Sequence, residues 1–262
     1  MNDNLDFRIP DYKIFDFHRH CISELNEFEN NIKKFNIERF CLMPSIKEGD
    51  FNDLKGYITK VKPYYKVFKD KAFIFGFLDF TKSPQENLEM LSLLKRELNI
   101  KGIKLHPEQG FLIEKNFLKS YFKIITEIFG YKLPIYIHMD WPLLEEKRYA
   151  PNGKRKTFNK IASFFPDFKF IMGHAGGSGD YLNIWKSCKK YQNVFIETSM
   201  TPVTSTLSEV VWKVAPNRLL FGSNYPYCSV RVEVLKILSL YKVSEEDKHA
   251  ILENNWKYVF ND

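Results

Sequence analysis

A chain of 262 residues with 44% hydrophobic content can bury one large core, and no linker-like stretch or shift of composition divides it, so one domain over 1–262 is expected. The formal charge of +7 comes mostly from lysines scattered singly over helix-like stretches, which reads as a solvated basic surface and not as a nucleic-acid site. Cys21, Cys41, Cys188 and Cys228 lie far apart with no CxxC, which excludes a disulfide framework and a zinc ribbon, and neither a signal peptide nor a bilayer-length apolar run is present. The expectation is a cytoplasmic protein with reduced thiols and no membrane or nucleic-acid partner; a homodimer stays open.

Short β-branched or aromatic runs alternate along the chain with longer amphipathic stretches. The first run, 13–18, leads into His20 and reads KIFDFHRH to that point. Residues i and i+2 of an extended chain share a side, so His18 and His20 offer two imidazoles to one point, which is half of a metal site. Alone, this spacing equally fits two histidines on a surface strand. Further strands are expected at 37–43, 72–79, 100–105, 134–138, 168–173, 194–198 and 218–222. Helices are expected near 21–35, 53–69, 85–98, 115–130, 157–165, 179–190, 205–214, 230–241 and 245–259. Leu88, Leu91, Leu94 and Leu98 keep helical spacing, while Ser83-Pro84 and Ser244 before Glu245 read as helix starts.

Five of the six histidines fall at or just beyond a strand end: His18 and His20, His106 after GIKL, His138 after PIYI and His174 after FIMG. Eight strand and helix alternations imply parallel pairing, and the chain carries neither GxGxxG after its first strand nor a P-loop. A (β/α)8 TIM barrel of the α/β class is therefore expected over a doubly wound sheet, with the histidines at the C-terminal strand ends where such barrels keep their working residues.

From Asp16 to its end the sequence resembles the amidohydrolase superfamily, specifically its second family of small hydrolases and decarboxylases. The resemblance rests on an ordered set: Asp16, His18 and His20 as D-x-H-x-H, then GIKLHP, His138, GHAGG, FGSNYPY and the tail SEEDKHAILENNWKYVF. It implies that His18, His20 and His138 hold one divalent metal, with His174 nearby as acid, base or substrate contact. Three imidazoles anchor zinc when a position is left for water or substrate, so zinc is the default metal. Manganese is the alternative, and a metal-free site stays open.

The chain departs from that family at Asn224, where an aspartate is usual. An amide carries no charge and takes no proton at neutral pH, so the ordinary general base is missing and metal retention should weaken. Asn224 is still expected in the catalytic set with His174. Glu108 and Asp140, just beyond two strand ends, could face the same mouth or be solvated loop acids. Lys104 and His106 alternate onto one side of the fourth strand. Some relatives carry a carbamylated lysine there, but the KLHP context resembles mononuclear ones, so Lys104 becomes a contact for an anionic substrate or a barrel-wall residue. The loop 140–157 is long enough to cover the mouth, and its Arg148, like Arg19, suits a carboxylate, although Arg19 alternates away from the two histidines. Lys104, His106, Glu108, Asp140 and Arg148 form the expected substrate-binding set.

The resulting expectation is a metal-dependent hydrolase or non-oxidative decarboxylase acting on a small carboxylate-bearing molecule. A non-catalytic ligand-binding barrel and a metal-free lactonase-like hydrolase are the alternatives that Asn224 motivates.

Overall fold

The computed structural model describes residues 12–109, 113–139, 154–177 and 181–260. Eight strands stand side by side in chain order: β1 (Ile14–Arg19), β2 (Ile37–Leu42), β3 (Ala72–Phe77), β4 (Gly102–Leu105), β5 (Ile135–Ile137), β6 (Phe170–Met172), β7 (Val194–Glu197) and β8 (Leu219–Leu220). Every adjacent pair is parallel. Backbone bonds from Phe17 N–H to Phe221 O (2.7 Å) and from His20 N–H to Tyr225 O (2.8 Å) bring the last strand back to the first. With helices between the strands, this is the expected (β/α)8 barrel.

The helices are α1 (Leu25–Lys34), α2 (Leu54–Val67), α3 (Pro84–Leu98), α4 (Lys115–Phe129), α5 (Arg155–Phe164), α6 (Trp185–Lys190), α7 (Thr204–Lys213), α8 (Val230–Leu238), α9 (Glu245–Glu253) and α10 (Lys257–Phe260). Both expected helix starts form: Ser83 and Glu86 make a reciprocal capping box with Pro84 in the first turn, and Ser244 Oγ accepts from Asp247 N–H at 3.1 Å. Two expectations were too long. Within the described part of 179–190 the helix occupies only Trp185–Lys190, because Asn183 turns left-handed (φ 59°) just ahead of it. The stretch 245–259 breaks after Glu253, where the Asn255 side chain donates to Pro216 O and Leu219 O, each at 2.8 Å, and ties the break to the foot of β8.

Apolar side chains form an outer layer between sheet and helices and a smaller inner cluster down the barrel axis. Phe15, Phe17, Phe75 and Tyr136 belong to the inner set, and Trp256 caps it from below, stacked on Phe15 at 4.7 Å. Each ring so buried contributes about 1.5–3 kcal/mol. The barrel is thus filled from its N-terminal end up to mid-height, and polar side chains gather above that floor.

Candidate metal centre

Strand β1 slips in register against β2 between Asp16 and Arg19. Such an irregularity re-aims side chains next to a site. Phe17 joins the inner apolar cluster, yet its neighbour His18 also reaches inner groups, lying 5.0 Å ring to ring from Tyr136. From His18 alternation resumes, so His20 shares its side and Arg19 points outward. Arg19 is fully buried there, bonded to Asp16 at 2.9 Å and Asn31 at 2.7 Å, with its guanidinium over the rings of Phe28 (4.7 Å) and Tyr225 (4.5 Å). It serves the barrel wall and not the mouth.

Five imidazoles meet above the floor in one chain of ring contacts. Centroids lie 4.9 Å apart for His20 and His18, 5.0 Å for His18 and His174, 4.7 Å for His174 and His138, and 4.3 Å for His138 and His106. His20 Nδ1 lies 3.0 Å from Met43 O, and a carbonyl only accepts, so Nδ1 carries the proton. His18 Nδ1 lies 3.2 Å from the Glu197 carboxylate, which fixes the same tautomer. Both Nε2 atoms are therefore bare lone pairs, and they face each other at 3.1 Å. Two nitrogens bound to one zinc at ~2.0–2.1 Å stand at a similar separation. Lys104 Nζ, 3.3 Å from His18 Nε2, is a donor drawn to the same lone pair. His138 Nδ1 is enclosed and lacks a hydrogen-bond partner among the described residues. This donor set fits a divalent cation.

Burial sets the charge state of these groups. It lowers every one of the five imidazoles, His18 to about 4 and His174 to about 3, so they are neutral ligands at neutral pH. It also brings the Lys104 ammonium down to about 7, against the opposing pull of Glu197 and Asp50. Burial alone would raise Glu197, but the hydrogen bond from His18, with the neighbouring His174 and the Ser199 N–H, holds it well below the usual carboxylate range.

Glu197, Tyr136 and Ser199 were missed in the sequence. Glu197 closes the apolar run NVFIE and is fully buried, accepting from Tyr136 Oη at 2.9 Å and from His174 N–H at 3.2 Å. Tyr136 stands two residues before His138, on the same strand face. Ser199 Oγ lies 2.9 Å from His174 Nδ1 and leaves His174 Nε2 for the mouth. His174 and Ala175 both have left-handed backbones, φ 51° and 47°, a strain of about 1–3 kcal/mol each of the kind that collects at functional sites. Among the described residues, donor atoms of His18, His174 and Glu197 all lie within 4.8 Å of one another.

Other expected residues divide by place. His106 is buried against His138, and its Nδ1 accepts from Glu108 N–H at 3.3 Å, while the Glu108 side chain is exposed in the turn Pro107–Gln109. Asn224 is buried just beyond β8 with φ 52°, and its Nδ2 sits 2.8 Å from Met200 Sδ. Asp140 and Arg148 lie outside the described residues.

Residues 74–255 match the family model described as Amidohydrolase. No curated protein matches the sequence. Among solved structures, a 2,6-dihydroxybenzoate decarboxylase from Rhizobium aligns with TM-score 0.68 at 14% identity, over 95% of this chain and 98% of that one. A dihydroxybenzoic acid decarboxylase from a Polaromonas species, with bound manganese and 2-nitroresorcinol, aligns at 0.66 and 13% identity over 91% and 86% of the two chains. A 4-oxalomesaconate hydratase from Rhodopseudomonas palustris gives 0.66 and 16% identity over 95% of each. At these identities the likeness speaks for the barrel alone.

Proposed function

The chain belongs to the amidohydrolase family, and from that premise we propose that it is a single-domain, metal-dependent enzyme acting on a small carboxylate-bearing substrate. Non-oxidative decarboxylation is the first reading and hydrolysis the second. The observation that carries the metal is the pair of Nε2 lone pairs on His18 and His20, 3.1 Å apart, with both Nδ1 protons engaged elsewhere. His138 completes the proposed ligand set through its ring, which lies 4.7 Å from His174. Zinc is the default occupant, and the manganese in the Polaromonas relative supports manganese as the alternative.

When bound, the ion would act as a Lewis acid toward the oxygens of the substrate. Lys104, the buried cation beside His18, binds the substrate carboxylate and orients it. The inner floor of Phe and Tyr rings excludes water from below. In decarboxylation the bond to the carboxylate carbon breaks and its electron pair stays on the substrate carbon. A proton moved at His174 Nε2 takes the place of CO2, since Nδ1 is engaged by Ser199. Asn224 favours this reading over hydrolysis, because an amide is no base for activating water.

The reading carries with it a cytoplasmic enzyme. Four free cysteines support this, and no helix among the described residues is long and apolar enough to cross a membrane. The test is elemental analysis of protein purified without chelator, followed by assays of CO2 release from aromatic carboxylates and of ring opening of lactones. Near-stoichiometric zinc or manganese with CO2 release is expected. A protein that takes up neither ion, even when supplied with it, would overturn the proposal.

A further inference from the structure

Resting on that reading, we propose that Glu197 is a positioning carboxylate of the metal centre: it holds His18 with Nδ1 protonated and Nε2 aimed at His20, and supplies across the His18 ring the negative charge that Asn224 does not. Glu197 is fully buried, and among the described residues its ion-pair partners are the imidazoles of His18 (3.2 Å) and His174 (3.7 Å). An ionised carboxylate whose direct partners are neutral imidazoles is expensive to bury, so its lone pairs have to be occupied. They are: His18 Nδ1, Tyr136 Oη and His174 N–H converge on Oε2, and Ser199 N–H donates to Oε1.

Bare backbone makes room for this pair. A Cβ at Gly222 would stand 2.2 Å from Glu197 Oε1, and one at Gly173 would stand 2.4 Å from Tyr136 Oη. Two glycines on neighbouring elements are thus needed for the carboxylate and the phenol to sit where they do.

The same atoms argue against a cation held by Glu197 itself. His18 Nδ1, His174 Nδ1 and Glu197 Oε2 are close enough to be ligands, but each already has a hydrogen-bond partner: donors crowd Oε2, and Ser199 Oγ engages His174 Nδ1. On the other edge of His18 the Nε2 atom faces a second unprotonated nitrogen at 3.1 Å, and the donor it meets there is the end of the flexible Lys104 side chain at 3.3 Å. The ion belongs on that edge. A carboxylate behind a ligating histidine fixes the ring's tautomer and raises its basicity, and losing such a partner typically weakens metal binding by about 10–100-fold.

The experiment titrates zinc, and separately manganese, into metal-stripped wild type, Glu197→Gln, Glu197→Asp and Gly222→Ala against a competing chelator, and reads imidazole tautomers by 15N NMR. Zinc affinity should fall about 10–100-fold in Glu197→Gln, with partial recovery in Glu197→Asp. The His18 signals of Glu197→Gln should lose the uniform Nδ1–H pattern, which a merely structural role would leave in place. Should Glu197→Gln fail to fold, Gly222→Ala keeps the charge and displaces the carboxylate, and it should weaken binding in the same direction. Wild type and folded variants of equal affinity and unchanged tautomer would overturn this inference and leave the functional reading standing. A wild type that binds neither ion would overturn both.

Discussion

Asp16 on β1 and Ser223 beyond β8 lock the barrel shut: the Ser223 N–H and hydroxyl donate to the two oxygens of the Asp16 carboxylate at 2.8 and 2.5 Å. The same carboxylate pairs with Arg19, fully buried between two rings. β8 has only two residues in the ladder, so side chains supply much of this seam. Asp16→Ala leaves a buried guanidinium without its counter-charge, which costs about 3–5 kcal/mol. A fall in Tm of roughly 10 °C is expected in calorimetry. A shift within about 2 °C of wild type would show that β8 is held by its backbone alone.

The metal edge makes a separate prediction. His18→Ala combined with His20→Ala removes both facing lone pairs but leaves the apolar floor below them intact. Stoichiometric zinc binding should disappear while the far-UV circular dichroism stays that of the wild-type barrel. Retained zinc would move the site elsewhere, and loss of the barrel signal would make the pair structural.

The parts of this site that could be read from the sequence are those set by local period. Histidines closing apolar runs belong to strand ends, and i, i+2 alternation places His18 with His20 and turns Arg19 outward to Phe28 and Tyr225. Glu197 could not be recognised that way, because a single acid at the last position of an apolar strand shows no partner in the sequence until the fold brings β1, β5 and the turn after β6 around it. The register slip that lets Phe17 and His18 both face inward is likewise a property of pairing with β2. Asn224 stands just beyond the C-terminal end of β8, and the aim of its amide toward Met200 follows from a left-handed backbone that no motif announces.

Thiol chemistry checks the interior independently of any metal. Cys21, Cys41 and Cys188 are buried, and burial pushes all three thiols up, Cys188 to about 12. Cys228 is half-buried and raised by burial and then by Glu233. A raised thiol holds less thiolate at neutral pH, so native protein should alkylate slowly and at Cys228 alone, faster as pH rises, and at all four cysteines once denatured. Rapid native labelling of Cys41 or Cys188, located by peptide mass mapping, would contradict the packing around β2 or α6.

Asn224 is where the chain leaves its family's pattern, and Asn224→Asp puts the usual carboxylate back. The amide donates to Met200 Sδ, a contact that a carboxylate cannot make, so an aspartate there loses its reason to face Met200. It gains one: His20 N–H bonds Tyr225 O at 2.8 Å, which sets position 224 one residue from that contact, and at an effective dielectric near ~20 the attraction of a dication held by His20 exceeds the ~1.4 kcal/mol that corresponds to tenfold in affinity. Zinc binding by Asn224→Asp should therefore tighten on the order of tenfold or more. The new carboxylate also accepts a proton from water, so lactone and ester hydrolysis should rise, while an anionic substrate beside Lys104 meets a new like charge and CO2 release should fall. Zinc titration of both proteins, then assays on lactones and aromatic carboxylates, reads the two directions at once. Equal affinity and unchanged rates in both assays would mean that position 224 does not reach the metal edge at all, and the missing charge of this centre would then have no bearing on its chemistry.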